Sequence, residues 1–261
     1  MVKFCTLTSG SSGNCIFVSD GKTRILVDAG VSGKKIEEGL RAIDEDAEQI
    51  DAVLVTHEHS DHISGIGVLS RRYDIPIYAN CGTWNAMSGS IGSIKPHNIK
   101  EIESGNEFGI ADIGIEAFSI PHDAADPVGY SFTIDGKKIT VATDIGHINK
   151  PLFQQLSGSD GILLESNHDV AMLKNGAYPY PLKQRILGEL GHLSNELAAT
   201  LACFLVKKKT TKILLGHLSR ENNTPRLAMT TVLNKMKEYD IQAGTDVELK
   251  VAERFTPSVL Y

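Results

Sequence analysis

From Asp51 to His62 the chain reads Asp-Ala-Val-Leu-Val-Thr-His-Glu-His-Ser-Asp-His. Five of the last six side chains, His57, Glu58, His59, Asp61 and His62, carry atoms able to hold a metal. Imidazole suits zinc, iron or manganese, and carboxylate adds the hard oxygen that a bridging or manganese site favours. A lone histidine at a strand end is ordinarily a surface residue or a satisfied core residue. Three histidines and an aspartate in six positions are different, because packing gives no reason to gather titratable groups there. Buried without partners, each would cost ~1–3 kcal/mol. The stretch reads as a metal centre.

The elements around it must aim these ligands. Val53-Leu54-Val55 is apolar and β-branched, as a buried strand is. On an extended exit from that strand His57 and His59 point the same way, since side chains alternate. Asp61 and His62 are adjacent and share a direction only if the backbone turns, which Ile63-Ser64-Gly65 permits. One segment therefore offers two ligand groups with different aims, as two neighbouring cations require.

Further strands are expected over 3–7, 15–18, 24–27, 75–79, 99–102, 107–110, 113–120, 128–134, 138–142, 161–164, 212–215 and 247–251. Helices are expected over 36–43, 66–73, 83–91, 196–206 and 225 to about 239. Ser194 and the pair Thr224-Pro225 have the chemistry of helix starts. His57, His122, Asp144, His168 and His217 each stand just after an expected strand. Strand ends converging on one edge would bring them together on loops carried by a rigid scaffold. Two mixed sheets packed face to face, with helices outside, fit this pattern. Between the first two strands, Ser9-Gly10-Ser11-Ser12-Gly13-Asn14 is a small-residue loop that reads either as a flexible hairpin or as an approach for an oxyanion.

The chain has 261 residues, 41% of them apolar, enough for a sizeable core, and is expected to form one domain over 1–261. The beginning lacks the apolar region of a signal peptide, and no later run is long enough to span a bilayer. Four scattered cysteines without a Cys-x-x-Cys pair suit a reduced, cytoplasmic setting. A net charge of -6 argues against a protein held on nucleic acid by its overall field, though not against a local basic strip.

The ordered set His57-x-His59-x-Asp61-His62, then His122, Asp144 and His217, resembles the metallo-β-lactamase superfamily along nearly the whole chain. The resemblance implies its four-layered αββα sandwich, an α/β fold of two mixed sheets flanked by helices. By position, His57, His59 and His122 would hold a first divalent ion and Asp61, His62 and His217 a second, with Asp144 bridging. Zinc or manganese is expected, and iron also accepts this donor set. The carboxylate at Asp144 points to the hydrolase and phosphodiesterase branches. The loop at 9–14, the segment Glu165-Ser-Asn167-His168-Asp169 and Gly191-His192-Leu-Ser194-Asn195 are similar to the YycJ (WalJ) branch, described as cytoplasmic DNA exonucleases. The inserted clamp domain of RNase J-like nucleases has no counterpart here.

The activity implied is a metal-dependent phosphodiesterase, a DNA exonuclease rather than one acting on RNA. A hydroxide bridging two ions ~3.5–4 Å apart would attack phosphorus in line. Asp61 is expected to ligate and also to orient that nucleophile. His192 is the first candidate to protonate the departing oxygen; His168 is the second, or else a phosphate clamp. Ser11, Ser12, Asn14 and Asn167 are expected to touch substrate. Lys183, Arg185 and Arg220, in segments flanking the ligands, are candidates for gripping phosphates, with Arg226 beside them. Tyr178 and Tyr180 are placed to stack on unpaired bases. The rival activity is a glyoxalase II-like thioester or lactone hydrolase, whose site should be narrower and lined by apolar groups. Oligomeric state is not written in any residue.

Overall fold

The computed structural model describes residues 2–261. In chain order its strands are β1 (Lys3–Thr8), β2 (Cys15–Ser19), β3 (Arg24–Val27), β4 (Ala52–Leu54), β5 (Ile77–Asn80), β6 (Ile99–Ile102) and β7 (Glu107–Ile110). There follow β8 (Ile113–Ser119), β9 (Val128–Ile134), β10 (Lys137–Ala142), β11 (Gly161–Glu165), β12 (Lys212–Gly216), β13 (Glu248–Val251) and β14 (Ser258–Val259). They form two seven-stranded mixed sheets, ordered β14-β1-β2-β3-β4-β5-β6 and β13-β12-β11-β10-β9-β8-β7.

Period-two alternation makes both faces of each sheet apolar. In β1 and β2, Phe4, Ile16 and Val18 face the opposite sheet, where Tyr130, Phe132 and Val141 meet them. Their neighbours Cys5, Leu7 and Phe17 face outward onto Ile36, Leu40 and Met87. Outside the second sheet, Ile162, Leu164, Ile213 and Leu215 pack under the helices Asn195–Lys207 and Pro225–Glu238. Three apolar layers thus lie between four structural ones, the αββα arrangement.

Helix starts follow local chemistry. Ser194 Oγ accepts from Leu197 N at 3.3 Å, and Thr224 Oγ1 accepts from Leu227 N at 3.1 Å, each satisfying a backbone donor that no helical carbonyl reaches. The helices Lys150–Leu156, Val170–Asn175 and Tyr180–Leu187 and the two-residue strand β14 were not expected. All are short and open on Asn, Asp or Pro, which also mark turns.

The topology decides what happens at the site. β3 through β6 are parallel, as are β10 through β13, and β1 and β8 run in the same sense as their respective groups. The C-terminal ends of β1, β3, β4, β8, β10, β11 and β12 therefore collect along one edge. Buried Tyr130 crosses the inter-sheet layer, and its hydroxyl donates to Val55 O at 2.8 Å, just before the ligand-rich segment leaves β4.

Candidate metal centre

The edge brings seven of the expected ligands into overlapping groups. His57, His59 and His122 offer one nitrogen each, all within 4.8 Å of one another. Asp61, His62 and His217 make a second such group, and Asp144 joins His57 and His62 in a third that links them. His57 and His59 leave β4 extended, whereas Asp61 and His62 sit in the one-turn helix Ser60–Ile63. That turn lets two adjacent residues serve one place. Glu58, between the two histidines, points elsewhere and accepts from Ala125 N at 2.9 Å. Asp28, Asp144 and His217 adopt left-handed backbone, with φ of 60°, 59° and 55°. Such conformations cost on the order of 1–3 kcal/mol and persist where surrounding structure enforces them.

Hydrogen bonds behind the cluster set the orientation of the rings. His62 Nδ1 donates to Asp28 Oδ2 at 2.7 Å; the same carboxylate accepts from Thr56 N at 2.8 Å and Thr56 Oγ1 at 2.9 Å. His57 Nδ1 lies 3.0 Å from Thr56 Oγ1, and His122 Nδ1 donates to Gly191 O at 3.0 Å. Glu165 is wholly buried at the end of β11, where Oε1 accepts from Nδ1 of His217 at 2.8 Å and from Nδ1 of His192 at 2.9 Å. Its Oε2 accepts from the backbone N–H of Ile145 and Leu193. His62, His122 and His217, so held, turn Nε2 toward the cluster. A carboxylate or carbonyl behind an imidazole fixes the tautomer and raises its basicity toward a metal.

Asp28 and Glu165 are site residues that sequence reasoning missed. Each closes an apolar strand with an acidic residue, and Glu165 also opens the segment that resembles the YycJ branch, but neither carried a role. Gly30 is as important: a Cβ there would stand 1.6 Å from Asp61 O, so only glycine lets the 28–30 turn lie against the ligand segment.

The donor set fits divalent metal. His57 Nε2 and one oxygen of Asp144 are buried without a hydrogen-bond partner. His122 Nε2 faces His59 Nδ1 at 3.4 Å. Burial, joined by the neighbouring imidazoles, keeps the His57 pKa well below its ordinary value; burial also lowers His122. Both therefore present lone pairs. Burial also disfavours charge on His62, but the carboxylates of Asp144, Asp28 and Asp61 outweigh it and raise that ring to about 9. His217 is raised in the same way, chiefly by Asp144. Burial opposes ionisation of Asp61, yet His62 and His217 hold its carboxyl below the usual range. The acidic half of the cluster thus attracts positive charge, which a cation would supply.

Beside the cluster lies a cavity of about 170 Å³ with Ser11, Asn167, Tyr178, Arg185, His192 and Ser219 in its wall. Arg185 Nε donates to Asp123 Oδ2, and Asp123 Oδ1 lies 3.4 Å from His122 Nε2, which fixes the guanidinium beside the centre. Arg220 is exposed on the loop after His217. Other expectations are corrected. Asn14 is buried; its Oδ1 accepts from Gly10 N, which shapes the loop, and its Nδ2 sits 3.2 Å from His62 Nε2, beside the ligands rather than in the cavity wall. Lys183 donates to Lys174 O and Gly176 O, tying its helix to the preceding turn. His168 is 1% exposed, belongs to none of the ligand groups, and has both ring nitrogens unpartnered. Burial lowers its pKa to about 4, so it is neutral and unsuited to donate a proton at pH 7. Tyr180 is exposed and outside the cavity wall, whereas Tyr178 lies in it. Among the described residues no helix is long and apolar enough to cross a membrane.

Comparison with known proteins agrees with this geometry. Residues 23–217 match the model of the β-lactamase superfamily domain. Exodeoxyribonuclease WalJ of Streptococcus pneumoniae is 44% identical over 95% of this chain and 93% of its own. Exodeoxyribonuclease YycJ of Bacillus anthracis is 41% identical over 94% of this chain and 93% of its own. Zinc-bound PqqB from Methylobacterium extorquens superposes with a TM-score of 0.73, covering 98% of this chain and 99% of that one; at 16% identity this likeness concerns the fold alone.

Proposed function

Because the chain belongs to the metallo-β-lactamase superfamily, in the branch of the WalJ and YycJ exodeoxyribonucleases, we propose that it is a metal-dependent DNA exonuclease. The observation that carries this reading is the convergence of seven ligand side chains with their rings fixed from behind, next to a cavity walled by an arginine and hydroxyl groups. His57, His59 and His122 would hold one divalent ion, Asp61, His62 and His217 another, with Asp144 shared between them. Zinc and manganese both suit the donors, and iron is compatible. Bound ions would supply Lewis acidity to phosphoryl oxygens and would acidify a water at neutral pH.

The chain's own residues do the rest. Arg185, held by Asp123, sets a planar cation beside the centre, where a phosphate can accept from it. Asp61, whose Oδ2 lies 3.4 Å from His217 Nε2, would both ligate an ion and orient the attacking water. His192 stands beside the ligands, its ring nitrogen within 4.8 Å of ligand atoms of Asp144 and His217: its Nδ1 is fixed on Glu165, its ring borders the cavity, and its centroid lies 5.0 Å from that of His122. Burial disfavours its protonated form, but the Glu165 carboxylate reverses the sign and raises its pKa. His192 is thereby suited to hold a proton at Nε2 and pass it to the departing sugar oxygen. Asn167 Nδ2 donates to His217 O at 3.0 Å and so steadies the last ligand while lining the same cavity.

The guanidinium of Arg185 in a wall that also carries Ser11, Asn167 and Ser219 favours a phosphodiester over a thioester or lactone. A strand of DNA is read as the substrate from the relatives' activity, and the whole of 1–261 as one domain, because both sheets contribute ligands to one centre. The test is digestion of end-labelled DNA by manganese- or zinc-loaded protein, beside RNA and a glutathione thioester. Release of labelled nucleotides that stops with chelator supports the reading. Cleavage of the thioester alone would overturn it.

A further inference from the structure

The outward face of the helix Asn195–Lys207 carries an apolar stripe open to solvent. Leu197 is 50% exposed and Phe204 43%, with half-buried Thr200 between them and exposed Lys208 beyond. Positions three and four apart are neighbours on a helix, so 197, 200, 204 and 208 form one line. Beside it Ile148 and Phe153 join Thr200, Leu201 and Phe204 in the wall of a groove of about 380 Å³. Aromatic rings continue the patch: the Phe204 centroid lies 6.3 Å from that of Phe153 and 5.7 Å from that of Tyr239, both edge to face. Apolar side chains exposed singly are ordinary, whereas a contiguous apolar patch marks a contact.

The same helix is polarised in charge. Glu196 opens it and Lys207, Lys208 and Lys209 close it; all four are exposed, and none makes an ion pair among the described residues. Lys207 Nζ rests instead over the Tyr239 ring, at 4.8 Å. Lys207 stands about three turns after Glu196 and therefore on the same flank of the stripe. A two-fold axis crossing the stripe near Ala202 sets two such helices antiparallel. Phe204 of one copy then falls opposite Thr200 of the other, at the groove. Glu196 of each falls opposite Lys207 and Lys208 of the other, on the same flank, and the helix dipoles oppose as well. A parallel arrangement would set like charges against each other.

We propose that this face joins two copies of the chain, helix Asn195–Lys207 against its twin. A two-fold contact needs a patch complementary to itself, which this charge order and groove provide. The helix is ~20 Å long, and the helices Lys150–Leu156 and Pro225–Glu238 flank it at the ~8–10 Å of packed helices. A face of ~20 by ~25 Å buries roughly 500 Å² per copy, or ~1,000 Å² in all, the lower bound for a specific interface. The dimer is thus a weak one, formed at micromolar concentration.

The test is sedimentation velocity of the full-length protein from about 1 to 100 μM, independent of the reaction it catalyses. The wild type should move from 28.3 kDa toward twice that mass across this range. Phe204→Glu and, separately, Thr200→Arg should stay monomeric throughout, with circular dichroism unchanged. Glu196→Lys and Lys207→Glu should each raise the dimer Kd at least fivefold, and the double variant should bring it back within about twofold of the wild type. A wild type still monomeric at 100 μM would overturn the proposal and leave the face to another partner. A dimer that persists in both Phe204→Glu and Thr200→Arg would overturn it too, by placing the contact elsewhere. Charge reversals whose effects merely add would refute the antiparallel pairing on which it stands.

Discussion

Glu165 Oε1 accepts from His217 Nδ1 at 2.8 Å and from His192 Nδ1 at 2.9 Å, so one buried carboxylate orients both a metal-ligand candidate and the candidate proton donor. The two imidazoles hold that carboxyl below the usual carboxylate range against the penalty of burial. Glu165→Gln keeps the shape but removes the charge that fixes both tautomers. Supporting residues of this kind are worth 10–100-fold in metal affinity or activity. Both metal content and kcat should therefore fall, with the fold intact by circular dichroism.

His192 separates chemistry from binding. In His192→Ala the seven ligand candidates all remain, although His192 itself stands with Asp144, Glu165 and His217 in one group of possible donors. As a general acid its loss should leave metal content near that of the wild type while kcat drops by ~10²–10⁴. Normal turnover at unchanged metal content would remove it from that role. The comparison needs only elemental analysis and a DNA digestion rate.

Asp28 makes the stability argument. It holds His62, Thr56 N and Thr56 Oγ1 from a fully buried position. Asp28→Ala leaves His62 without its carboxylate. Breaking a buried pair of this sort costs ~3–5 kcal/mol, read as a lower urea midpoint in chelator-treated protein. Gly30→Ala should damage the same place by another route, since the added methyl collides with the backbone of Asp61.

The pattern of strand ends was enough to expect the two mixed sheets, because polar residues interrupt apolar runs at intervals that topology then aligns. It gathered His57, His122, Asp144, His168 and His217, and the set of seven ligand candidates came from the resemblance instead. Asp28 and Glu165 escaped because a single acid closing a strand is commonplace; only its pairing with a distant ring marks it. Lys183 was placed correctly in the chain but not in space: its ammonium found two carbonyls at the edge of its own helix. Arg254 meets Ser12 across 242 positions of sequence, a separation no local pattern can announce.

His168 predicts a pH effect away from the ligands. Burial lowers its pKa from 6.5 to about 4, so the unfolded chain takes up its proton first as pH falls. The neutral ring's contribution is therefore fully present above pH 6.5 and is lost progressively between 6.5 and about 4, at ~1.4 kcal/mol per pH unit for a single proton. His168→Gln should flatten that part of the stability curve, measured by urea titration of metal-free protein at pH 7, 6 and 5. An unchanged slope would show that the ring is not the group responsible.

Metal stoichiometry tests the central claim most directly: equilibrium dialysis of chelator-stripped protein against zinc or manganese, followed by elemental analysis. Two ions per wild-type chain are expected, falling to about one in His59→Ala and in His217→Ala, each of which loses a ligand from a different group. A wild-type chain that binds no ion, or one that digests DNA equally well in excess chelator, would contradict the account.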